Sequence, residues 1–372
     1  MNKKSKKNIP FFNYPSLFND HEENLMQIIK EVSSKGAFIM QSELEEFEKK
    51  LAEYTKASHA IGVANATDAL QMLMMAGGIR SGDEVLFCSH TMVATASSIH
   101  FAGGVPIPVE VDNDHMIDID SIEKSINSKT KAICPTQLNG RVANMEEILE
   151  IAARHGLQVY EDAAQALGAK FDGKFAGTFD MGGCISFYPA KILGCFGDGG
   201  AILCNDHTIA EKLRLMRDHG RDESGDIPLW GFNSRLDNLQ AAILNYYLND
   251  YENTVRRRRE IAELYNSGLK DIDEISIPEP PSKNIRNFDV FQNYEIQANR
   301  RDKLKLYLSD NGVGTLIQWG GTPVHRFKKL GFDFDLPKTD KLFERLIMLP
   351  LNLSVTDGDV EYICSLIQEF YS

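Results

Sequence analysis

From about residue 59 onward the chain alternates short apolar runs with longer stretches whose apolar residues recur at helical spacing. "HAIGVA" precedes "TDALQMLMMAG", "EVLFC" precedes "TMVATASSIHFAG", "VPIPVEV" precedes "DIDSIEKSIN", and "KAICPT" precedes "NMEEILEIAARHG", after which "LQVYED" follows. Short apolar runs of this kind suit strands buried on both faces, and the intervening stretches suit helices laid across them. The rhythm predicts an α/β fold, a mainly parallel sheet flanked by helices. In such sheets ligands bind beyond the carboxyl ends of the strands. Chemistry is therefore to be sought just after "VANA", "FCSH", "CPTQ" and "YEDAA".

The pattern changes near residue 184. "CISFY" and "GGAILC" are two apolar runs joined by a glycine-rich stretch too short for a helical crossover, which predicts an irregular hairpin. Beyond about 235 the chain reads as helix ("LDNLQAAILNYYLNDYENTVRRRREIAELY"). A loop, "IPEPPSKN", then opens a mixed region with a strand at "FQNYEIQA" and helices at "RRDKLKLYLSDNG" and "DGDVEYICSLIQEFY". This region predicts a second, smaller α+β domain. No internal repeat or low-complexity segment interrupts the pattern.

Composition narrows the partners more than the fold. The 372 residues are 43% hydrophobic and 25% charged, with a formal net charge of −13. That balance suits a soluble globular protein and argues against a nucleic-acid partner. The basic run 256–259 is the local exception, and it is expected to be a solvated helix face. Six cysteines without a CxxC pair, most of them in strand-like runs, are expected to be buried thiols in a reducing compartment. The basic start "MNKKSKKN" lacks the apolar core of a signal peptide, and no apolar run is long enough to span a membrane, so a cytoplasmic location is expected.

Four segments at strand ends carry candidate chemistry. In "ANATDAL" a strand gives way to a helix start, where free N–H groups attract phosphate; Thr67 adds a hydroxyl, and Asp68 suits the helix dipole or simply a cap. In "VYEDAAQALGA" two acids, Glu161 and Asp162, end a buried strand. They serve either as a cap or to face a cation, and Ala163 and Ala164 leave room for a flat ligand. In "SFYPAKILGCFGDGG" Lys191 stands among glycines that permit close approach, with Ser186 nearby to bond a phosphate oxygen. A lysine in water has a pKa of about 10.4 and is a poor nucleophile; burial lowers that value and frees the amine to form a Schiff base. In "GFNSRLDNLQAAIL" Asn233 and Arg235 precede a helix with an apolar face, by itself a capped helix start. GxxxxGK[ST] and GxGxxG are both absent, "DNDH" (112–115) reads as a solvated loop, and His219 and His325 lack ligand spacing, so no metal site is expected.

Six of these motifs in order resemble the sugar aminotransferases of the DegT/DnrJ/EryC1/StrS family: "NATDAL", "EDAAQALGA", "GTFD", "SFYPAKILGCFGDGGAIL", "RDHGR" and "GFNSRLDNLQAAIL". The likeness runs from "ELEEFEKKLAEYT" to about "GTPVH". It implies a pyridoxal-phosphate transferase of fold type I, aspartate aminotransferase-like, with an amino-terminal arm (1–20), a large cofactor domain (21–250) and a small carboxyl-terminal domain (251–372). It implies that pyridoxal 5'-phosphate is held on Lys191 as a Schiff base and that Asp162 pairs with the pyridine nitrogen. Gln165 would lie near the phenolic oxygen, and Ala66, Thr67 and Ser186 would hold the phosphate. Asn233 would reach that phosphate from the partner subunit of a homodimer with shared active sites.

The activity so implied is transfer of an amino group, from L-glutamate, to a keto-sugar, most simply a nucleotide-linked keto-deoxysugar. The product would be an amino sugar for a surface polysaccharide such as lipopolysaccharide O-antigen. Lys191 would both anchor the cofactor and move the proton. The chain departs from the family pattern at three places. Ala66 stands where glycine is usual. Met92 stands where an aromatic ring commonly stacks on the cofactor, a task His90 can take instead. "TQLNG" (136–140) replaces the usual substrate-side segment, leaving Gln137 as a substrate contact. "IQWGGTPVH" offers Trp319 and His325 as sugar contacts from the small domain. A keto-sugar without nucleotide, such as an octulosonate, is an alternative substrate; a dehydratase, which replaces the lysine by histidine, and a non-catalytic regulator are the alternative functions.

Overall fold

The computed structural model describes residues 7–281 and 286–372; residues 1–6 of the expected arm and 282–284 of the loop "IPEPPSKN" lie outside the described residues. Eight strands build the larger sheet: β1 His59–Val63, β2 Glu84–Cys88, β3 Val105–Val109, β4 Thr130–Cys134, β5 Gln158–Val159, β6 Glu161–Asp162, β7 Gly183–Ser186 and β8 Gly200–Cys204. β3, β2, β4 and β5 pair side by side, all parallel. β6 continues β5 past Tyr160 and pairs parallel with β7, and a parallel bridge between Thr136 and Asp162 carries the ladder from one half to the other. β8 alone is reversed, running antiparallel to both β7 and β1. The hairpin expected from "CISFY" and "GGAILC" is this β7–β8 pair.

Alternation along the strands explains why their sequences read as unbroken apolar runs. Leu86 and Cys88 of β2 face one apolar core, while Val85 and Phe87 face a second on the other side. Ala201 and Leu203 of β8 divide from Ile202 and Cys204 in the same way. Helices cover both faces, so neither face of a strand has room for polar residues. The helix Ala66–Gly77 begins where the Asn65 side chain accepts the Asp68 N–H at 2.8 Å, and it stops at Gly78 in the left-handed region. Such a cap stabilises a helix by about 1 kcal/mol. Asp68 is thus not the cap; its carboxylate accepts from the Ser234 hydroxyl at 2.7 Å.

A third core lies in the carboxyl-terminal region. There β9 Ile275–Ser276, β10 Tyr294–Ala298 and β11 Leu346–Leu349 form an antiparallel sheet. The helices Tyr251–Leu269 and Asp357–Tyr371 pack beside it. The first of these helices serves two cores: Tyr251 and Val255 join the large one, Ile261 and Tyr265 the small one. Ile9, from the amino-terminal arm, is buried in the small core and bridges to Val313.

The basic run departs from the solvated face expected of it. Arg258 is buried, and its guanidinium donates to the Phe291 and Gln292 carbonyls at 2.8 and 2.7 Å. Arg259 stacks 4.1 Å over the Phe288 ring and donates to the Pro281 carbonyl at 3.1 Å, while Arg257 pairs with Asp357 at 2.7 Å. Arg257, Arg258 and Arg259 thus fasten loops, while Arg256 is exposed as expected. His115 of "DNDH" likewise turns inward and meets Glu295 at 2.9 Å. All six cysteines are free and buried. Among the described residues no helix is long and apolar enough to cross a membrane.

Candidate active site

Where the strands end at their carboxyl side, a cavity of about 650 Å³ opens, walled on its far side by residues 316–320 and Met348. Lys191 lines it from the loop 187–199 that joins β7 to β8. The loop closes on itself: the Phe187 N–H donates to the Gly199 carbonyl and the Cys195 N–H to the Phe187 carbonyl, both at 2.8 Å. Burial brings the Lys191 amine down from its ordinary 10.5 to about 8, against the opposing pull of Asp162 and Cys184. In cofactor-free protein, an amine-reactive reagent applied across a pH series should therefore label Lys191 with a midpoint near 8. The neutral, reactive amine is lost below that pH, whereas surface lysines keep their protons well above it. Peptide mass mapping reads the difference.

Asp162 and Glu161 are neighbours in β6, so their side chains leave opposite faces. Asp162 faces the cavity. Its Oδ2 accepts the Thr95 hydroxyl at 2.5 Å, and its Oδ1 accepts the Ala164 N–H at 3.2 Å and the Cys184 thiol at 3.6 Å. Behind Thr95 run two more buried hydroxyls, Thr91 at 2.7 Å and then Thr136 at 2.9 Å from Thr91. A carboxylate can only accept. Thr95 therefore donates to Asp162, Thr91 to Thr95, and Thr136 to Thr91, a chain of donors pointing one way. Glu161 turns inward instead. It accepts from the Phe179 N–H at 2.7 Å and the Gln137 amide at 2.6 Å, and burial pushes its carboxyl up to about 7. No helix starts after this pair, so neither acid is a cap.

The helix start at Ala66 and Thr67 meets the same cavity, as does Ser186 at the end of β7. Gly200 makes the approach possible: a Cβ there would lie 2.5 Å from the Asn65 carbonyl carbon and 2.7 Å from the Ala66 nitrogen. Met92, 48% exposed, lines the cavity just before the helix Val93–Phe101. The Gln165 amide oxygen accepts from the Asn139 N–H at 2.8 Å and the Asn293 amide at 3.3 Å. Trp319 forms part of the far wall, and its indole N–H is buried without a partner.

Three expected ligand contacts, Gln137, His90 and His325, depart from expectation. Gln137 is fully buried, its amide spent on Glu161 and on the Ala143 N–H at 2.7 Å; Thr136, one residue earlier, faces the cavity instead. His90 is sealed against the Phe343 ring and lies 3.8 Å from Glu295. Burial holds its imidazole down to about 4, and it can neither stack on a ligand in this cavity nor bond one. His325 is buried between Ser89 at 2.8 Å and Asp340 at 3.1 Å. Asn233 is exposed and outside its own chain's cavity. The altered segment meets the cavity through Thr136 and Leu138; behind them Asn139 takes a left-handed conformation (φ 56°) and joins Gln165 to Glu295, Asn293 and Gln318. Thr91, Thr95, Asn139, Gln292 and Asn293 stand in no motif that the sequence offers. A glutamine inside the strand-like run "FQNYEIQA" was the one available signal.

The donor set suits pyridoxal phosphate: an amine of lowered pKa and a carboxylate at one cavity, with a helix start and two hydroxyls where a phosphate needs N–H and O–H donors. A family model described as the DegT/DnrJ/EryC1/StrS aminotransferase family matches residues 19–368. Over 98% of its length the chain is 36% identical to the "Pleiotropic regulatory protein" of Geobacillus stearothermophilus, of which the match covers 99%. It is 35% identical to the dTDP-3-amino-3,4,6-trideoxy-alpha-D-glucose transaminase of Streptomyces venezuelae, over 92% of this chain and 91% of that one. The crystal structure of S. venezuelae DesV in complex with a ketimine intermediate superposes with a TM-score of 0.93 at 33% identity, covering 98% of this chain and 99% of that one.

Proposed function

We propose, from the premise that this chain belongs to the DegT/DnrJ/EryC1/StrS aminotransferase family and is a pyridoxal-phosphate-dependent sugar aminotransferase, that it moves nitrogen from L-glutamate to a nucleotide-linked keto-sugar. The amino sugar so made would go on to a surface polysaccharide such as lipopolysaccharide. The nucleotide is supported by the dTDP-sugar named for the Streptomyces relative. The observation that carries the catalytic reading is the Lys191 amine, of lowered pKa, sharing one cavity with Asp162.

Bound pyridoxal phosphate supplies an aldehyde that takes up nitrogen and a ring that withdraws electrons. The N–H groups at Ala66 and Thr67, with the Thr67 and Ser186 hydroxyls, would hold its phosphate. Asp162, fixed by Thr95, would offer negative charge to the ring nitrogen. Gln165, held by Asn139 and Asn293, would bond the ring oxygen. Met92 would supply a soft apolar surface for the ring. The Lys191 amine takes the proton from the donor's α-carbon and later returns one to the sugar's carbon, a task suited to a base whose pKa is near working pH. Trp319 walls the sugar side. Asn233, exposed on its own chain, would complete the phosphate site of a second copy, so the working unit is a homodimer.

Two measurements test this reading. Borohydride reduction followed by peptide mapping should leave a pyridoxyl adduct on Lys191. Purified protein with cofactor and glutamate, offered keto-sugars both nucleotide-linked and free, should yield an amino sugar by mass from the nucleotide-linked set. Amination of the free sugars alone would transfer the reading to an octulosonate-like substrate. Bound cofactor with no aminated sugar would sink the substrate class.

A further inference from the structure

Lys191 is not held by its own loop alone. The side-chain amide of Gln292 donates to the Ala190 carbonyl at 2.8 Å and accepts the Ile192 N–H at 3.0 Å. One amide thus spans the peptide groups on both sides of the lysine, as a neighbouring strand would. Gln292 lies far along the chain, in the segment 289–293 that leads into β10 and the small domain. It is 7% exposed and reaches the same cavity as Lys191.

The clamp is itself anchored. Buried Arg258 donates to the Phe291 and Gln292 carbonyls, so the backbone carrying the amide is fixed from behind. On the other side the Val290 N–H donates to the Gly140 carbonyl at 2.9 Å. A Cβ at Gly140 would lie 2.6 Å from the Gln292 nitrogen, so the turn 138–141 and this segment touch backbone to backbone. Asn293, the next residue, bonds Asn139 and Gln165. A flexible lysine gains a fixed origin for its side chain only if the peptide groups beside it cannot turn. A displacement of about 1 Å at a reacting group costs up to about 10²-fold in rate.

We propose that Gln292, backed by Arg258, is a positioning residue for Lys191: it fixes the lysine's backbone on both sides and so aims the amine, without touching substrate. The proposal rests on the catalytic role given to Lys191 above. That role is tested independently by the borohydride adduct in unaltered protein, so the two can fail separately.

The test compares Gln292→Met, which keeps length and removes both bonds, with Gln292→Glu, which keeps the acceptor for the Ile192 N–H. In Gln292→Met, kcat should fall by about 10- to 100-fold with KM for glutamate and sugar within twofold, as expected when orientation rather than binding is lost. The cofactor-free protein gives a second readout: the pH midpoint for labelling Lys191 should move upward, because a released loop admits water to the amine. Gln292→Glu should fall between the two proteins in kcat. A kcat within twofold of the parent, or a change confined to KM with the labelling midpoint unmoved, overturns the proposal. If Gln292→Met does not fold, the same two readouts are taken on Gln292→Glu alone, and a kcat and midpoint equal to the parent's overturn it there.

Discussion

Replacing Lys191 by alanine is expected to cut amino transfer by about 10⁴-fold or more, the range in which general acid–base catalysis and nucleophilic attachment are both removed. Among the described residues lining the cavity it is the one primary amine. Its lowered pKa, about 8, gives it an appreciable neutral fraction near neutral pH, which no exposed lysine has. Lys191→Arg should fail almost as badly. A guanidinium keeps the charge but cannot give up its proton in this range and cannot form the Schiff base. Single-turnover assays with product read by mass, on protein whose circular dichroism matches the parent, check the outcome. Activity within tenfold of the parent in either variant would remove Lys191 from the chemistry.

Asp162→Asn is expected to lower kcat by about 10²- to 10³-fold, the loss typical when one preorganised charge contact is removed from a dry site. The substitution preserves shape, and an amide oxygen can still accept the Thr95 hydroxyl. What disappears is the negative charge that favours a protonated ring nitrogen. The expected signature is a fall in kcat with little change in the KM for glutamate, together with weaker cofactor retention on dialysis and an altered absorption spectrum. Equal kcat values for the two proteins would mean that this carboxylate serves only to close the hydroxyl chain behind it.

The sheet was legible because strands such as β2 and β8, covered on both faces, leave no polar position to confuse the pattern. The strand-end rule then directed attention to the cavity, where Lys191, Asp162 and Ser186 are found. Single-residue orientation was less legible. At 136–137 and 161–162 the side chains alternate, so a shift of one residue decides whether a polar group meets a ligand or the core. The pattern points Gln137 at the cavity, but Thr136 occupies it. His90 and His325 looked available because imidazoles near strand ends often are; their burial by Phe343, Ser89 and Asp340 comes from segments distant in sequence. Arg258 and Arg259 are inaccessible to spacing in the same way. Spacing cannot reveal that the carbonyls of Phe291 and Gln292 lie within reach of Arg258.

The reversed strand β8 sets a ruler across the sheet edge. Gly200 stands opposite Val63 on one side and Ser186 on the other, in a single row of backbone pairs. Side chains in a ladder change faces with every residue, so deleting one residue inside β7 would turn the Ser186 side chain to the other face and slide its pairing with Gly200 by about 3.4 Å. Homologous proteins should therefore keep the length of both strands flanking the loop 187–199 constant.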